Sequence, residues 1–215
     1  MGTYKYETSI DFKYYWESLN NIESYVSFMN QIKTIYELKP QNVLEIGVGN
    51  KLTYNHLKQI GIEVTSVDIN PKLEPDITED IRYLSLKNNT YDVVSAFEVL
   101  EHLPFSELES ALIELKRVTK KYIVLSLPIQ KLGIEISMWL PIIHNIYYYI
   151  DLPYALKHKG VQTDNDYHYW EVNKKGYSKH KLLSIFKKHF KVVKEFRPKY
   201  NKHHWFVILE KGGNV

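Results

Sequence analysis

The chain contains no cysteine. That excludes disulfide frameworks, thiolate zinc sites, iron–sulfur clusters and cysteine nucleophiles, and it fits a reducing compartment, so a cytoplasmic location is expected. No run of about 18 apolar residues occurs, so no transmembrane segment is expected. The greasiest stretch, Ile134 to Ile150, is broken by Glu135, Pro141, His144 and Asn145. The first residues, MGTYKYETSIDFKYYW, hold neither an apolar core nor a small-residue cleavage site, and no secretory signal is read there. Arginine is scarce: Arg82, Arg117 and Arg197 are the three among 28 basic residues. Bidentate recognition of bases and phosphates relies on the guanidinium fork, and the net charge is only +3, so nucleic acid is not an expected partner.

What is present describes one globular domain. The 215 residues are 44% hydrophobic and 25% charged, and a chain of this length buries about 70% of its unfolded surface without a disulfide or metal. Charge is divided unevenly. Residues 40–114 carry thirteen acids against five bases, whereas residues 155–204 carry thirteen bases against four acids. A solvated lysine surface accounts for the basic half, and an anionic substrate or surface is the sharper alternative.

Periodicity orders the elements. Ile22, Tyr25, Val26, Met29, Ile32, Ile35 and Tyr36 recur at helical spacing, and Pro40 closes that helix. NVLEIG reads as a buried strand, residues 52–60 as a helix ending at Gly61, and EVTSVDI, YDVVSAF and KYIVLSL as further strands. Ser106 and Glu109 form a capping-box pattern before a helix bearing Leu108, Ala111, Leu112 and Leu115. Alternating strands and helices imply a doubly wound α/β fold with a mostly parallel sheet. A helix from Ser178 to about Lys188 is followed by FKVVKEF and HHWFVILE, strands joined too closely for a helical crossover, so an antiparallel C-terminal strand is expected. Residues 1–215 therefore divide into an N-terminal helical segment (1–39), a core (40–127), an aromatic lid or substrate insertion (128–177), and a C-terminal helix with a strand pair (178–211).

The chemistry gathers where the first strand turns into a helix. In Glu45-Ile-Gly47-Val48-Gly49-Asn50, glycines permit close backbone approach to a ligand, and helix-start N–H groups attract anions. Asp68 follows Gly49 by 19 residues at the end of the second strand, where an acid can take both hydroxyls of an adenosine ribose. Glu45 lies in an otherwise apolar strand, and a buried acid without a partner costs several kcal/mol, so it is expected to work at the carboxyl end of the sheet. A dinucleotide site would have glycine where Leu52 stands, which makes an NAD(P)-dependent oxidoreductase the second reading. A third reading is a non-catalytic, cofactor-binding partner subunit.

These motifs, in this order, resemble the class I S-adenosylmethionine-dependent methyltransferases. VLEIGVGN resembles the first family motif, VTSVDIN the second, EDI (79–81) the third, and YDVVSAFEVLEHLP the fourth, which is most similar to the quinone-biosynthesis branch. The resemblance implies a seven-stranded sheet, S-adenosylmethionine as cofactor and S-adenosylhomocysteine as product. It places the cofactor against Glu45, Gly47, Val48, Gly49, Asp68, Ile69, Asp80, Ile81, Phe97 and Glu98. Lys51 stands where many members have a third glycine, and the Pro-Pro-aromatic signature of base and amide methylases is absent. The implied reaction is methyl transfer to a small-molecule, glycan or lipid-linked acceptor, with Glu98, His102 and His168 as candidate bases. Glu98 and His102 share one face if EVLEH is helical. For His168 the competing reading is an aromatic cluster of Tyr167, Tyr169 and Trp170. His203 and His204 read as a pair opening a strand, and no metal site is expected. Met138 to Ile143 and the tyrosines after it fit lid packing, or peripheral membrane contact beside the basic segment.

Overall fold

The computed structural model describes residues 10–130, 133–141, 144–152 and 168–212. Two helices lead in: α1 (Phe12–Leu19) and α2 (Ile22–Glu37). The Asn21 side chain caps α2 by accepting from the Ser24 amide at 2.9 Å. Then β1 (Asn42–Ile46), α3 (Leu52–Gln59), β2 (Glu63–Asp68), β3 (Ile77–Thr78), β4 (Tyr91–Phe97), α4 (Leu108–Val118) and β5 (Thr119–Pro128) alternate. A hairpin of β6 (Gly133–Leu140) and β7 (His144–Asp151) follows, and α5 (Lys179–His189), β8 (Lys191–Phe196) and β9 (His204–Glu210) complete the chain.

Seven strands form one sheet in the order β3-β2-β1-β4-β5-β9-β8. β1, β2, β3, β4 and β5 run parallel, and β9 pairs antiparallel with both β5 and β8. Because the central strands are covered on both faces, their side chains sort by parity. Val43, Val93, Val124 and Phe206 pack toward Ile35 of α2 and Leu57 of α3. Leu44, Val94, Ile123 and Val207 pack toward Leu112 of α4 and Phe186 of α5. Strand order reverses beside β1, which has β2 on one side and β4 on the other, and this opens a crevice beyond their carboxyl ends. No helix among the described residues is long and apolar enough to cross a membrane.

Four sequence expectations are corrected. The apolar stripe on α2 is split: Ile35 is buried and Ile32 packs against the core, but Ile22, Met29 and Tyr36 are exposed, while Ser24, Ser27, Gln31 and Thr34 are buried. This helix covers a polar cavity as well as core, so hydroxyls and an amide face inward. The capping box does not form. α4 is preceded by a 3₁₀ turn over Phe105–Glu107, its N-cap is Glu107, and no side chain caps it. EVLEH is not an α-helix either; Leu100–His102 is a single 3₁₀ turn, so Glu98 and His102 are not related as i and i+4 on a helix face. The segment read as having no regular element contains the β6–β7 hairpin, paired from Gly133 opposite Asp151 to Leu140 opposite His144. Met138, Trp139 and Leu140 stand exposed on it.

The core makes a quantitative contrast. Leu44 is fully buried in the middle of β1, so Leu44→Ala should lower the unfolding free energy by about 2–5 kcal/mol. Met29→Ala, at an exposed position of α2, should change it by roughly 0.5 kcal/mol or less. Denaturant titrations of both variants check this.

Candidate active site

The crevice holds a cavity of about 410 Å³. The turn after β1 forms its floor. Gly47 and Gly49 have φ of +78° and +49°, and a Cβ at Gly47 would run into Val99 Cγ2. The Gly47 amide donates to the Val67 carbonyl at 2.8 Å, fixing the turn to β2. Asp68 then locks it: its Oδ2 accepts from the Val48 amide at 2.9 Å and its Oδ1 from the Asn70 amide at 2.8 Å. A carboxylate presents about four acceptor sites, so structural bonds and ligand hydroxyls can share it. Lys51 takes the left-handed conformation itself, with φ of +58°, and caps α3 without a side-chain bond; its Nζ donates to the Glu74 carbonyl at 2.6 Å. The missing third glycine is thus replaced by a lysine in a glycine-like backbone state.

Glu45 lies beneath this turn, 3% exposed. Burial first, and the charge of Asp68 second, push its carboxyl up to about 8. Its Oε2 has no hydrogen-bond partner among the described residues, although it lines the cavity. Glu45 and Asp68 therefore share one crevice, as the ligand-gripping pair requires.

The remaining expected cofactor positions line the same cavity. Val48, Ile69 and Ile81 supply apolar wall beside Asp68 and Asp80. Burial works to raise the Asp80 carboxyl, but hydrogen bonds from the Arg82 side chain and backbone outweigh it and hold the group below the usual carboxylate range. Arg82 also bonds Glu107, tying the Asp80 loop to the turn before α4. Phe97 ends β4 and packs against Phe206, ring centroids 6.1 Å apart. Glu98 follows with φ of +54°, a left-handed state that costs a non-glycine residue roughly 1–3 kcal/mol and is concentrated at functional sites. β5 holds it there: the Glu98 amide donates to the Ser126 carbonyl at 3.1 Å, and Ser126 Oγ donates to Glu98 Oε1 at 2.7 Å.

The three candidate bases, Glu98, His102 and His168, converge on the cavity although no helix aligns them. The chain returns after the insertion with Tyr169 N–H donating to the Glu101 carbonyl at 2.9 Å, which brings the His168 ring against His102, edge to face at 4.8 Å. His168 Nδ1 lies 3.1 Å from Glu171 Oε1. Burial favours a protonated Glu171, yet the hydrogen bonds from His168 and Lys174 draw it below its usual range. Of the competing aromatic cluster, Trp170 is buried and donates to the Leu103 carbonyl at 3.0 Å, whereas Tyr169 is exposed. Tyr167 lies outside the described residues. Glu101, fully buried, and the two histidines offer ligand atoms within 4.8 Å of one another. That donor set suits a divalent cation such as zinc or a first-row transition metal, a grouping the sequence reading did not expect.

Sequence reasoning also missed His204, which enters the cavity instead of merely opening β9. It shares parity with Phe206, and Phe206 faces α2, so strand alternation was the available signal. The polar inner face of α2, with Ser24, Ser27 and Gln31 on the cavity wall, was missed because the apolar stripe of that helix is the stronger pattern.

Comparison with known proteins now bears on this geometry. Residues 44–125 match the family described as "Methyltransferase domain", a span from β1 to β5 that contains Glu45, Asp68, Asp80 and Glu98. The fold is that of the S-adenosylmethionine-dependent methyltransferases, and the match to their domain is confined to residues 44–125. A ubiquinone biosynthesis O-methyltransferase of Xanthomonas euvesicatoria pv. vesicatoria (strain 85-10) is 28% identical over 91 residues, covering 35% of this chain and 38% of that protein. The alignment thus spans little more than a third of the relative's length. Among solved structures, magnesium protoporphyrin IX methyltransferase from Synechocystis PCC 6803, with bound S-adenosylhomocysteine, superposes with a TM-score of 0.65 at 15% identity. The match covers 92% of this chain and 93% of that one. The N-methyltransferase NodS of Bradyrhizobium japonicum WM9, also with S-adenosylhomocysteine, gives 0.65 at 11% identity, covering 97% and 96%. In this methyltransferase fold the family motifs account for the floor of the crevice. Of the rim, α1, α2, His168 and His204 lie outside the matched span, and His102 lies inside it.

Two outcomes follow from the floor. Gly47→Ala should remove measurable adenosyl-ligand binding in calorimetry, because the added methyl meets Val99 and the turn cannot keep its positive φ. Glu45 stays protonated to about pH 8 in the folded chain, against an ordinary 4.5. Between those values only the unfolded chain releases the proton, so stability falls with rising pH by up to about 1.4 kcal/mol per pH unit from this group. Glu45→Gln should flatten that slope in denaturant titrations between pH 5 and about 8.

Proposed function

We propose that the protein transfers the methyl group of S-adenosylmethionine to an oxygen atom of a small-molecule acceptor, releasing S-adenosylhomocysteine. The observation that carries this reading is one crevice lined by two chemically different sets of groups. Glycine-lined backbone with Glu45 and Asp68 is one set, and Glu98 with the histidines is the other. Asp68 takes the ribose hydroxyls, Glu45 completes the grip on the adenosyl group from below, and Asp80 with Ile81 borders the adenine. Gly47, Val48 and Gly49 let backbone approach, and Ile69 and Phe97 supply apolar wall. The two solved structures with bound S-adenosylhomocysteine support the ligand, and the ubiquinone biosynthesis O-methyltransferase supports an oxygen acceptor, whereas NodS is an N-methyltransferase.

The acceptor oxygen attacks the sulfonium methyl in line. Its bond to carbon forms as the carbon–sulfur bond breaks, and that electron pair stays on sulfur as the neutral thioether. The leaving group needs no assistance, so the protein contributes alignment and exclusion of water. A hydroxyl acceptor must also lose a proton, and Glu98 receives it, with His102 and His168 lining the same cavity. A thermal-shift titration tests the ligand. At about 100-fold excess over the dissociation constant, S-adenosylhomocysteine should add about 2.7 kcal/mol, NAD and NADP nothing, and Asp68→Ala should lose most of the shift. Stabilisation by NAD(P) instead establishes the oxidoreductase reading.

The grouping of Glu101, His102 and His168 favours a second reading, in which a divalent cation on those side chains orients the acceptor oxygen. Under it a chelator abolishes turnover and an added divalent salt restores it, with S-adenosylhomocysteine binding unchanged. Under the first reading the chelator has no effect.

A further inference from the structure

His204 belongs to no motif, yet its ring is held at both ends. Nδ1 lies 2.6 Å from Ser27 Oγ on α2, and Nε2 lies 3.5 Å from Glu98 Oε2. The Ser27 end is itself hydrogen-bonded from behind. Thr53 Oγ1 donates to Gln31 Oε1 at 2.7 Å, and Gln31 Nε2 donates to Ser27 Oγ at 3.4 Å. Thr53, Gln31 and Ser27 are all buried. The Glu98 carboxylate only accepts, so it favours the ring proton on Nε2, and the Ser27 hydroxyl, which accepts from Gln31, then donates to Nδ1 of His204. That nitrogen is then the acceptor, and the ring proton sits on Nε2, facing the Glu98 carboxylate.

We infer that His204 is a positioning residue for methyl transfer: Ser27 on one side and the Glu98 carboxylate on the other set its tautomer, and its Nε2–H aims Glu98 at a hydroxyl acceptor. The inference rests on the methyltransferase reading above and deepens it by naming the acceptor class, a compound bearing a hydroxyl. Glu98 is then gripped from two sides, by Ser126 Oγ at 2.7 Å on Oε1 and by His204 on Oε2. Its left-handed backbone turns it away from the continuing strand, into the cavity. The 3.5 Å separation is long for a hydrogen bond, as is common before substrate closes a site. In the reaction the acceptor O–H proton passes to the Glu98 carboxylate as the new carbon–oxygen bond forms, and the electron pair of the broken carbon–sulfur bond remains on sulfur. His204 neither takes nor gives a proton. The neutral carboxylic acid returns its proton to water when the products leave.

The test uses the full chain with S-adenosylhomocysteine or S-adenosylmethionine, and catechol as the hydroxyl probe. In nitrogen-15 spectra of histidine-labelled protein, the neutral His204 ring should carry its proton on Nε2, and Ser27→Ala should mix the two tautomers. With catechol, His204→Ala should lower kcat by about tenfold or more, with KM and S-adenosylhomocysteine affinity changed less than about twofold. His204→Gln, which keeps an N–H donor near the Nε2 position, should recover most of that loss. A wild-type ring protonated on Nδ1 overturns the inference whether or not catechol is methylated. So do unchanged turnover in His204→Ala, and equal losses in the Ala and Gln variants, which would mark a packing role. Wild-type protein that binds S-adenosylhomocysteine but leaves catechol untouched overturns the hydroxyl-acceptor assignment. If S-adenosylhomocysteine fails to bind at all, the methyltransferase reading falls instead, and the tautomer still reports on the Ser27–His204 link.

Discussion

The Asp68 carboxylate joins two strands and a turn at the point where a ligand would sit. By accepting from the Val48 and Asn70 amides it fixes the glycine turn after β1 to the end of β2. Together with the Gly47 amide bond to the Val67 carbonyl, that tie holds the turn in which Gly47 and Gly49 take positive φ. One negative group therefore shapes the backbone, presents acceptor capacity to a ligand and raises the proton affinity of Glu45 beneath it. Structure and candidate chemistry are coupled there because both depend on the same pair of oxygen atoms.

The rest of the site is arranged around that floor by elements far apart in sequence. β4 delivers Glu98, β5 restrains it through Ser126, and β9 brings His204 to its other side. α2 crosses over with hydroxyl and amide side chains where a core helix would carry leucines. The segment returning from the insertion places His168 against His102. The floor needs a short contiguous turn and two acids, while the rim can be assembled from any loop that reaches the carboxyl ends of the strands.

Glu45 shows how burial is used in place of pairing. An ionised carboxylate enclosed in an apolar strand is costly, so the group keeps its proton instead and remains as a neutral acid below the turn. A polar ligand entering the cavity gives its unpartnered oxygen something to bond, which makes occupancy of the crevice favourable beyond the area it covers.

Local pattern was enough to determine the winding of the sheet, the antiparallel return of β9, and the Glu45–Gly47–Gly49–Asp68 floor. Each depends on short-range rules: alternation along a strand, glycine at a turn, and a fixed separation between one strand end and the next. It was also enough to nominate Glu98, His102 and His168, though for a helical alignment that the 3₁₀ turn at Leu100–His102 replaces. Tertiary structure alone decided which face of α2 points inward, because the cavity it covers is made by strands that the helix sequence does not encode. It alone decided that His204 meets Glu98 and Ser27, and that Glu101 joins His102 and His168. Ser27 and His204 are 177 positions apart and meet only after the whole sheet has been laid down.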